Sequence, residues 1–377
     1  MNMNQTTKWA IAAVVVIVLL GTAFIFGGRP NPGDITGPIK IGWMGPQTGP
    51  SAVLGMDSYV AAQIAVDEIN AAGGIDGRLV ELYIEDDQYS TEKSVLAYNK
   101  LVNVNEVRII IANTYSSVFA LAKRAEADGV LLIDPLDCNN ELAEVSENVF
   151  CLATDSASVA KVLARAATEG GYSKVGILHF TSDLFMPLVQ KVFKESYKGN
   201  IVLTEAYPAG TRDFRTPLTK LVSEGADAIV LLGYDETGNA MKQARDLGFK
   251  GQFLTTGTVT SPPLQAAAQG AAEGTLLAFW TANTNSSLYE TFTKEFQKRQ
   301  NRPPILDLAT YPTYDAVKAL ARAIDNAGNS SVRDVTREIA SITDLEGITG
   351  TITFNANGSM LIPESLFKLT GGKVIPQ

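Results

Sequence analysis

The sequence predicts an α/β protein built from two doubly wound parallel-sheet lobes. Three observations carry that expectation. Short, almost wholly apolar runs alternate with segments whose apolar residues recur at helical spacing, the pattern of repeated βα units. Most of the runs stop at Gly, Pro, Asn or Asp before the next helix begins. The alternation then restarts at Lys174, with strands roughly 120–135 residues after their counterparts in the first half. A chain of 377 residues also exceeds one ordinary hydrophobic core.

The first unit runs from Ile39 to Gln88. Ile39–Met44 reads as a buried strand, ended by the turn signals Gly45-Pro46 and Gly49-Pro50. From Asp57, the apolar positions Val60, Ile64, Ala65 and Ile69 mark a helix, which Ala72-Gly73-Gly74 terminates. Leu79–Ile84 is the second strand and ends in Glu85-Asp86-Asp87, which completes a βαβ unit. Ser90–Asn103 is a helix and Val107–Ala112 a strand that breaks at Asn113–Ser117, where Ser116 or Ser117 is placed to cap the helix running through Ala127. Gly129–Ile133 is a fourth strand, halted by Asp134-Pro135, and Ser158–Glu169 is a helix.

In the second half Val175–His179, Ile201–Ala206, Ala228–Gly233 and Phe253–Thr255 read as strands. Helices over Leu184–Tyr197, Phe214–Glu224 and Gly238–Leu247 separate them. Thr275–Trp280 is a further strand, and Ser287–Arg299, Tyr311–Ala327 and Val332–Ala340 are helices. Gly350–Phe354 with Glu364–Leu369 resembles a terminal hairpin. In open sheets of this kind, ligands bind outside the carboxyl ends of the strands. Two facing lobes therefore predict a cleft between those ends.

The net charge of −9 and the absence of any Lys/Arg-rich run exclude nucleic acid as a partner. Lys8 precedes an apolar stretch, Trp9–Gly28, of about 20 residues, enough to span a bilayer. Its length and the lack of a following Ala-x-Ala favour an uncleaved anchor over a cleaved signal peptide, with Arg29–Gly33 as a stiff linker. Either way the remaining chain is exported, to the cell surface or periplasm. Export lets Cys138 and Cys151 form a disulfide, the alternative being two unpaired buried thiols.

A catalytic constellation is not evident. The single histidine, His179, ends a strand, no Cys/His cluster has zinc spacing, and no Gly-x-Ser-x-Gly elbow occurs. The turn at Gly45–Gly55 has neither phosphate-loop nor dinucleotide residues. The sequence therefore predicts no enzyme activity, no metal and no cofactor.

The run Ala65-Val66-Asp67-Glu68-Ile69-Asn70-Ala71-Ala72-Gly73-Gly74-Ile75-Asp76-Gly77 resembles the substrate-binding proteins of branched-chain amino acid ABC importers. Gly45–Gly49, Asp86-Asp87, Asp213-Phe214, Gln243–Arg245 and Tyr314–Ala316 extend the resemblance, in order, over roughly residues 38–370. The resemblance implies the type I periplasmic-binding-protein fold, with a three-crossing hinge and closure of both lobes over a small-molecule ligand. Crossings near Asp155, Trp280 and Leu345 follow, with residues 1–37 as anchor or signal plus linker. Lobe I is then 38–155 and 281–345, and lobe II is 156–280 and 346–377. Implied partners are an ABC permease with its ATPase subunits, and the chain itself is expected to be a monomer. A membrane-tethered sensor signalling through a partner chain is the alternative.

Carried over residue by residue, the pocket falls on Tyr115, Ser116 and Ser117, on Leu136, Asp137 and Cys138, and on Tyr234. The resemblance places a ligand carboxylate at the helix N-terminus beside Ser116 and Ser117, where free N–H groups and the helix dipole favour an anion. Three positions depart from the family pattern. Gly257 stands where amino-acid binders carry a carboxylate for the ligand's ammonium, and Leu184 and Leu54 stand where aromatics are usual. An α-amino acid ligand then needs a substitute such as Asp137 or Asp235, because an uncompensated buried ammonium is costly. Without a substitute, a less polar carboxylate or amide fits.

Overall fold

Strands buried on both faces need continuous apolar sequence, and this chain supplies it. Ile-Ile-Ile-Ala at Ile109–Ala112, Leu-Leu-Ile-Asp at Leu131–Asp134 and Ala-Ile-Val-Leu-Leu at Ala228–Leu232 are buried at every position. The structure, a computed structural model, describes residues 37–49 and 51–377. The expected membrane segment, residues 9–28, lies outside them. Among the described residues no helix is long and apolar enough to cross a membrane.

In chain order the first strands are β1 (Ile39–Gly45), β2 (Val80–Asp86), β3 (Ile109–Ala112), β4 (Leu131–Asp134), β5 (Asp137–Cys138) and β6 (Val149–Asp155). There follow β7 (Lys174–Phe180), β8 (Asn200–Tyr207), β9 (Ala228–Leu232), β10 (Gln252–Thr255) and β11 (Leu276–Phe279). The last are β12 (Leu345–Gly347), β13 (Gly350–Ile352), β14 (Ser359–Ile362), β15 (Ser365–Thr370) and β16 (Lys373–Pro376).

One sheet has the order β2-β1-β3-β4-β6-β14, and β5 pairs with β6. The other has the order β8-β7-β9-β10-β11-β15-β16. The five leading strands of each therefore follow the same doubly wound sequence, with the order reversing beside β1 and β7. The β1–β2 and β7–β8 pairs are both parallel, and in the second sheet only β15 runs against the other strands, antiparallel to both β11 and β16.

The helix Asp307–Ala327 packs on the helix Ser58–Ala71 of the first lobe. Ser58 Oγ donates to the Ala309 carbonyl at 2.9 Å, and Tyr314 Oη donates to Glu68 at 2.5 Å. An ion pair between buried Asp57 and half-buried Arg302 fixes the entry to that region. Asp57, 1% exposed, takes two hydrogen bonds from Arg302 at 2.6 and 2.8 Å and one from the Ile305 N–H.

The chain leaves the first sheet at Asp155, whose carboxylate accepts from the N–H groups of Ala157 and Ser158 and so caps the helix Ser156–Glu169. It leaves the second sheet after β11, where the Trp280 ring meets that of Tyr311 on the long first-lobe helix. The expected third crossing near Leu345 is corrected. β14 lies parallel to β6, from Ser359 opposite Cys151 to Ile362 opposite Thr154, whereas β15 pairs with β11. The chain therefore passes between sheets at Pro363 and Glu364, and the segment up to Ile362 belongs with the first sheet. The expected hairpin is redrawn too, because β13 pairs with β12 and β15 pairs with β16. The Phe354 ring against Phe150 and the burial of Met360 and Ile362 draw this segment back to β6.

Candidate ligand-binding site

The carboxyl ends of both sheets converge on one small cavity of about 30 Å³. Leu54 follows β1, Leu136 and Asp137 follow β4, and Thr154 lies near the end of β6. From the second sheet come Tyr234 after β9, Thr256, Gly257 and Thr258 after β10, and Ala278 and Phe279 on β11. Val159, Phe185, Met186 and Leu308 are helical, and Glu364 comes from the third crossing.

The two lobes touch around this cavity. Tyr89 Oη, beyond β2, lies 2.8 Å from Tyr234 Oη, and the two rings meet edge to face. Tyr234 Oη also donates to Asp183 Oδ2 at 2.5 Å. The Leu184 N–H donates to Ser116 Oγ at 3.0 Å across the cleft, and the Tyr115 ring packs edge-on against Phe185. These contacts join the two lobes across the cavity.

Of the ten residues named from the sequence, Leu54, Leu136, Asp137, Tyr234 and Gly257 line the cavity. The other five sit around it or beside its mouth. Tyr115 is fully buried, with its hydroxyl bonded to Asn139 Nδ2 at 2.5 Å. The helix spans Tyr115–Asp128 and its N-cap position is Thr114, so Ser116 and Ser117 lie inside the first turn and neither is the cap. Ser117 Oγ is 2.7 Å from Ser94 Oγ. Cys138 is buried and bonded to Cys151. Leu184 is exposed at the mouth, and its neighbour Phe185 supplies the aromatic wall. Asp235 accepts from Ser261 Oγ at 2.6 Å and does not line the cavity.

Gly257 has a steric cause. A Cβ there would lie 2.5 Å from Phe279 Cδ2 and 3.2 Å from Leu308, so the Phe279 ring already fills the space a side chain needs. A carboxylate at this position is therefore incompatible with the packing of the wall.

The electrostatics of the cavity are set by buried acids. Asp134 accepts from the N–H groups of Leu136 and Asp137, and its Oδ2 has no partner. Burial pushes the carboxyls of both Asp134 and Asp137 upward, and their mutual proximity raises Asp137 further. Burial likewise pushes Asp183 up to about 6, against the hydrogen bonds from Tyr234 and Met186, and Glu364 up to about 8. Tyr89, Asp183 and Glu364 escaped the sequence reading. The Ser182-Asp183 pair at the end of β7, just before an amphipathic helix, was the available signal for Asp183. Nothing local marks Glu364.

Two open α/β lobes, one cavity at their strand ends and a hinge of separate crossings are the architecture of a type I periplasmic binding protein, a substrate-binding class rather than an enzyme class. The chain belongs to the periplasmic binding protein family, which it matches over residues 38–370. It is 27% identical to the leucine-, isoleucine-, valine-, threonine- and alanine-binding protein of Pseudomonas aeruginosa, over 85% of this chain and 87% of that protein. It is 25% identical to the leucine-specific-binding protein of Salmonella typhimurium, over 95% of each. Among solved structures, the branched-chain amino acid transporter substrate-binding protein of Streptococcus pneumoniae, in complex with isoleucine, superposes with a TM-score of 0.81 at 28% identity. That superposition covers 89% of this chain and 97% of the other. A benzoate-bound solute-binding protein of R. palustris has a TM-score of 0.80 at 19% identity, covering 90% of this chain and 95% of that one, and shares the fold.

Proposed function

We propose that this chain is the extracytoplasmic solute-binding component of an ABC importer. Closure of its lobes captures a small amino-acid-like, carboxylate or amide ligand, and the closed form is presented to the permease and its ATPase subunits. The observation that carries the reading is the cavity whose walls come from the strand ends of both sheets, shut by the Tyr89–Tyr234 contact. A ligand touching both lobes binds the closed form better than the open one, and that difference is what shifts the population. A monomer tethered through residues 9–28 belongs to the same proposal, and membrane fractionation tests the tether.

The direct test is a thermal-shift screen of the purified protein against amino acids, amides, amines and carboxylates. A ligand at 100 times its Kd adds about 2.7 kcal/mol of stability by mass action. A folded protein that no small solute stabilises would defeat the importer reading.

A further inference from the structure

The charged residues lining the cavity are both acids, Asp137 and Glu364, and among the described lining residues none is Lys, Arg or His. Asp137 is 6% exposed, and its carboxylate accepts no hydrogen bond from a described residue. Glu364 has one oxygen, Oε2, shut off from solvent without a partner. Their charged neighbours are further acids, Asp134 and Asp183 near Asp137 and Asp155 near Glu364.

The groups that could hold an anion are engaged elsewhere. Ser116 Oγ takes the Leu184 N–H and Ser117 Oγ pairs with Ser94, and neither serine lines the cavity. The hydroxyls of Thr256 and Thr258 lie 2.9 Å apart, and Thr258 Oγ1 donates to the Gly233 carbonyl. A ligand carboxylate would be tolerated only while these acids stay protonated, and any that ionised would repel it in a water-poor site where repulsion is least screened. A ligand cation would meet buried acceptors that lack a donor, and pairing would relieve their desolvation. The remaining wall, Leu54, Leu136, Val159, Met186, Phe279 and Leu308, is apolar and suits a hydrocarbon body.

We propose that Asp137 and Glu364 hold the ammonium group of a cationic ligand, a primary amine with a branched or aromatic apolar body, and that no ligand carboxylate is needed. The assignment rests on the reading of the cavity as the solute site. It moves the ammonium partner from position 257, which Phe279 closes, to the strand end after β4 and the third crossing.

The test is isothermal titration calorimetry of the purified protein with a matched set: 3-methylbutylamine, leucine, 4-methylpentanoate, benzylamine and benzoate. At least one amine should bind, 3-methylbutylamine no more weakly than leucine if it is the one, and neither acid should bind. Asp137→Asn and Glu364→Gln should each weaken the amine by at least about tenfold. Both substitutions keep side-chain size and replace a carboxyl that burial holds in its neutral form in the empty site, so the melting temperature of the empty variants should not fall. Silence of both amines while leucine or an acid binds overturns the inference and leaves the importer reading standing. So does leucine binding about tenfold or more tightly than 3-methylbutylamine, or unchanged amine affinity in both folded variants. Silence of all five, with no stabilising solute in the thermal-shift screen, sinks both.

Discussion

Tyr234 carries three roles on one side chain. Its ring forms cavity wall, its hydroxyl reaches Tyr89 across the cleft, and the same hydroxyl donates to the buried Asp183 carboxylate. Tyr234→Ala should therefore lower ligand affinity by at least about tenfold, since wall contact and an inter-lobe hydrogen bond are lost together. Calorimetry with the best ligand checks it, and unchanged affinity would remove Tyr234 from the site. A third of the cavity lining, five of its fifteen residues, was legible at this scale because strand ends can be read from the pattern: Leu136 and Asp137 follow an apolar run that Asp134-Pro135 halts. Tyr89 and Glu364 were not legible. Their proximity to the cavity is a product of tertiary packing, and in the sequence each is an ordinary residue of a turn or a strand edge.

At the scale of elements, the Asp57–Arg302 pair ties the start of the helix Ser58–Ala71 to the segment leading into the helix Asp307–Ala327. Arg302→Ala leaves a carboxylate buried with only the Ile305 N–H as its remaining donor. Because Arg302 is itself 34% exposed, loss of this partner costs about 1–3 kcal/mol, between the exposed and the fully buried cases. Chemical denaturation should show that loss, and a change below about 0.5 kcal/mol would mean Asp57 reaches water in the variant. Most elements were legible because apolar runs and helical spacing repeat over many residues. The exceptions were short. β14 has four residues and owes its place to a partner two hundred positions earlier, β6, so local alternation favoured a hairpin that does not form.

For the whole molecule, the repeated strand order was visible as a repeated pattern, and both lobes with this shared order of five strands present carboxyl strand ends to the cavity. The buried acids there make stability depend on pH. Glu364, lifted to about 8 by burial, binds more protons when folded than when unfolded, where its pKa is near the ordinary value of 4.5. Its contribution is full below the unfolded value and disappears as pH rises through about 8. Asp137, shifted in the same direction, adds to this. His179 is lowered by burial, so its contribution is complete above about 6.5 and leaves the alkaline side unaffected. The melting temperature of the empty protein should fall between about pH 6.5 and about pH 8, and Glu364→Gln should flatten the fall. Calorimetric scans across that range decide it, and a flat profile in the unmodified protein would contradict the buried state of Glu364. The disulfide has a practical consequence of another kind. The sequence holds two cysteines and each is bonded to the other, so no thiol is left to react. A thiol introduced as Leu184→Cys, at the exposed mouth where the backbone already meets Ser116, gives a single attachment point for an environment-sensitive dye, and turns lobe closure into an optical readout of solute in solution.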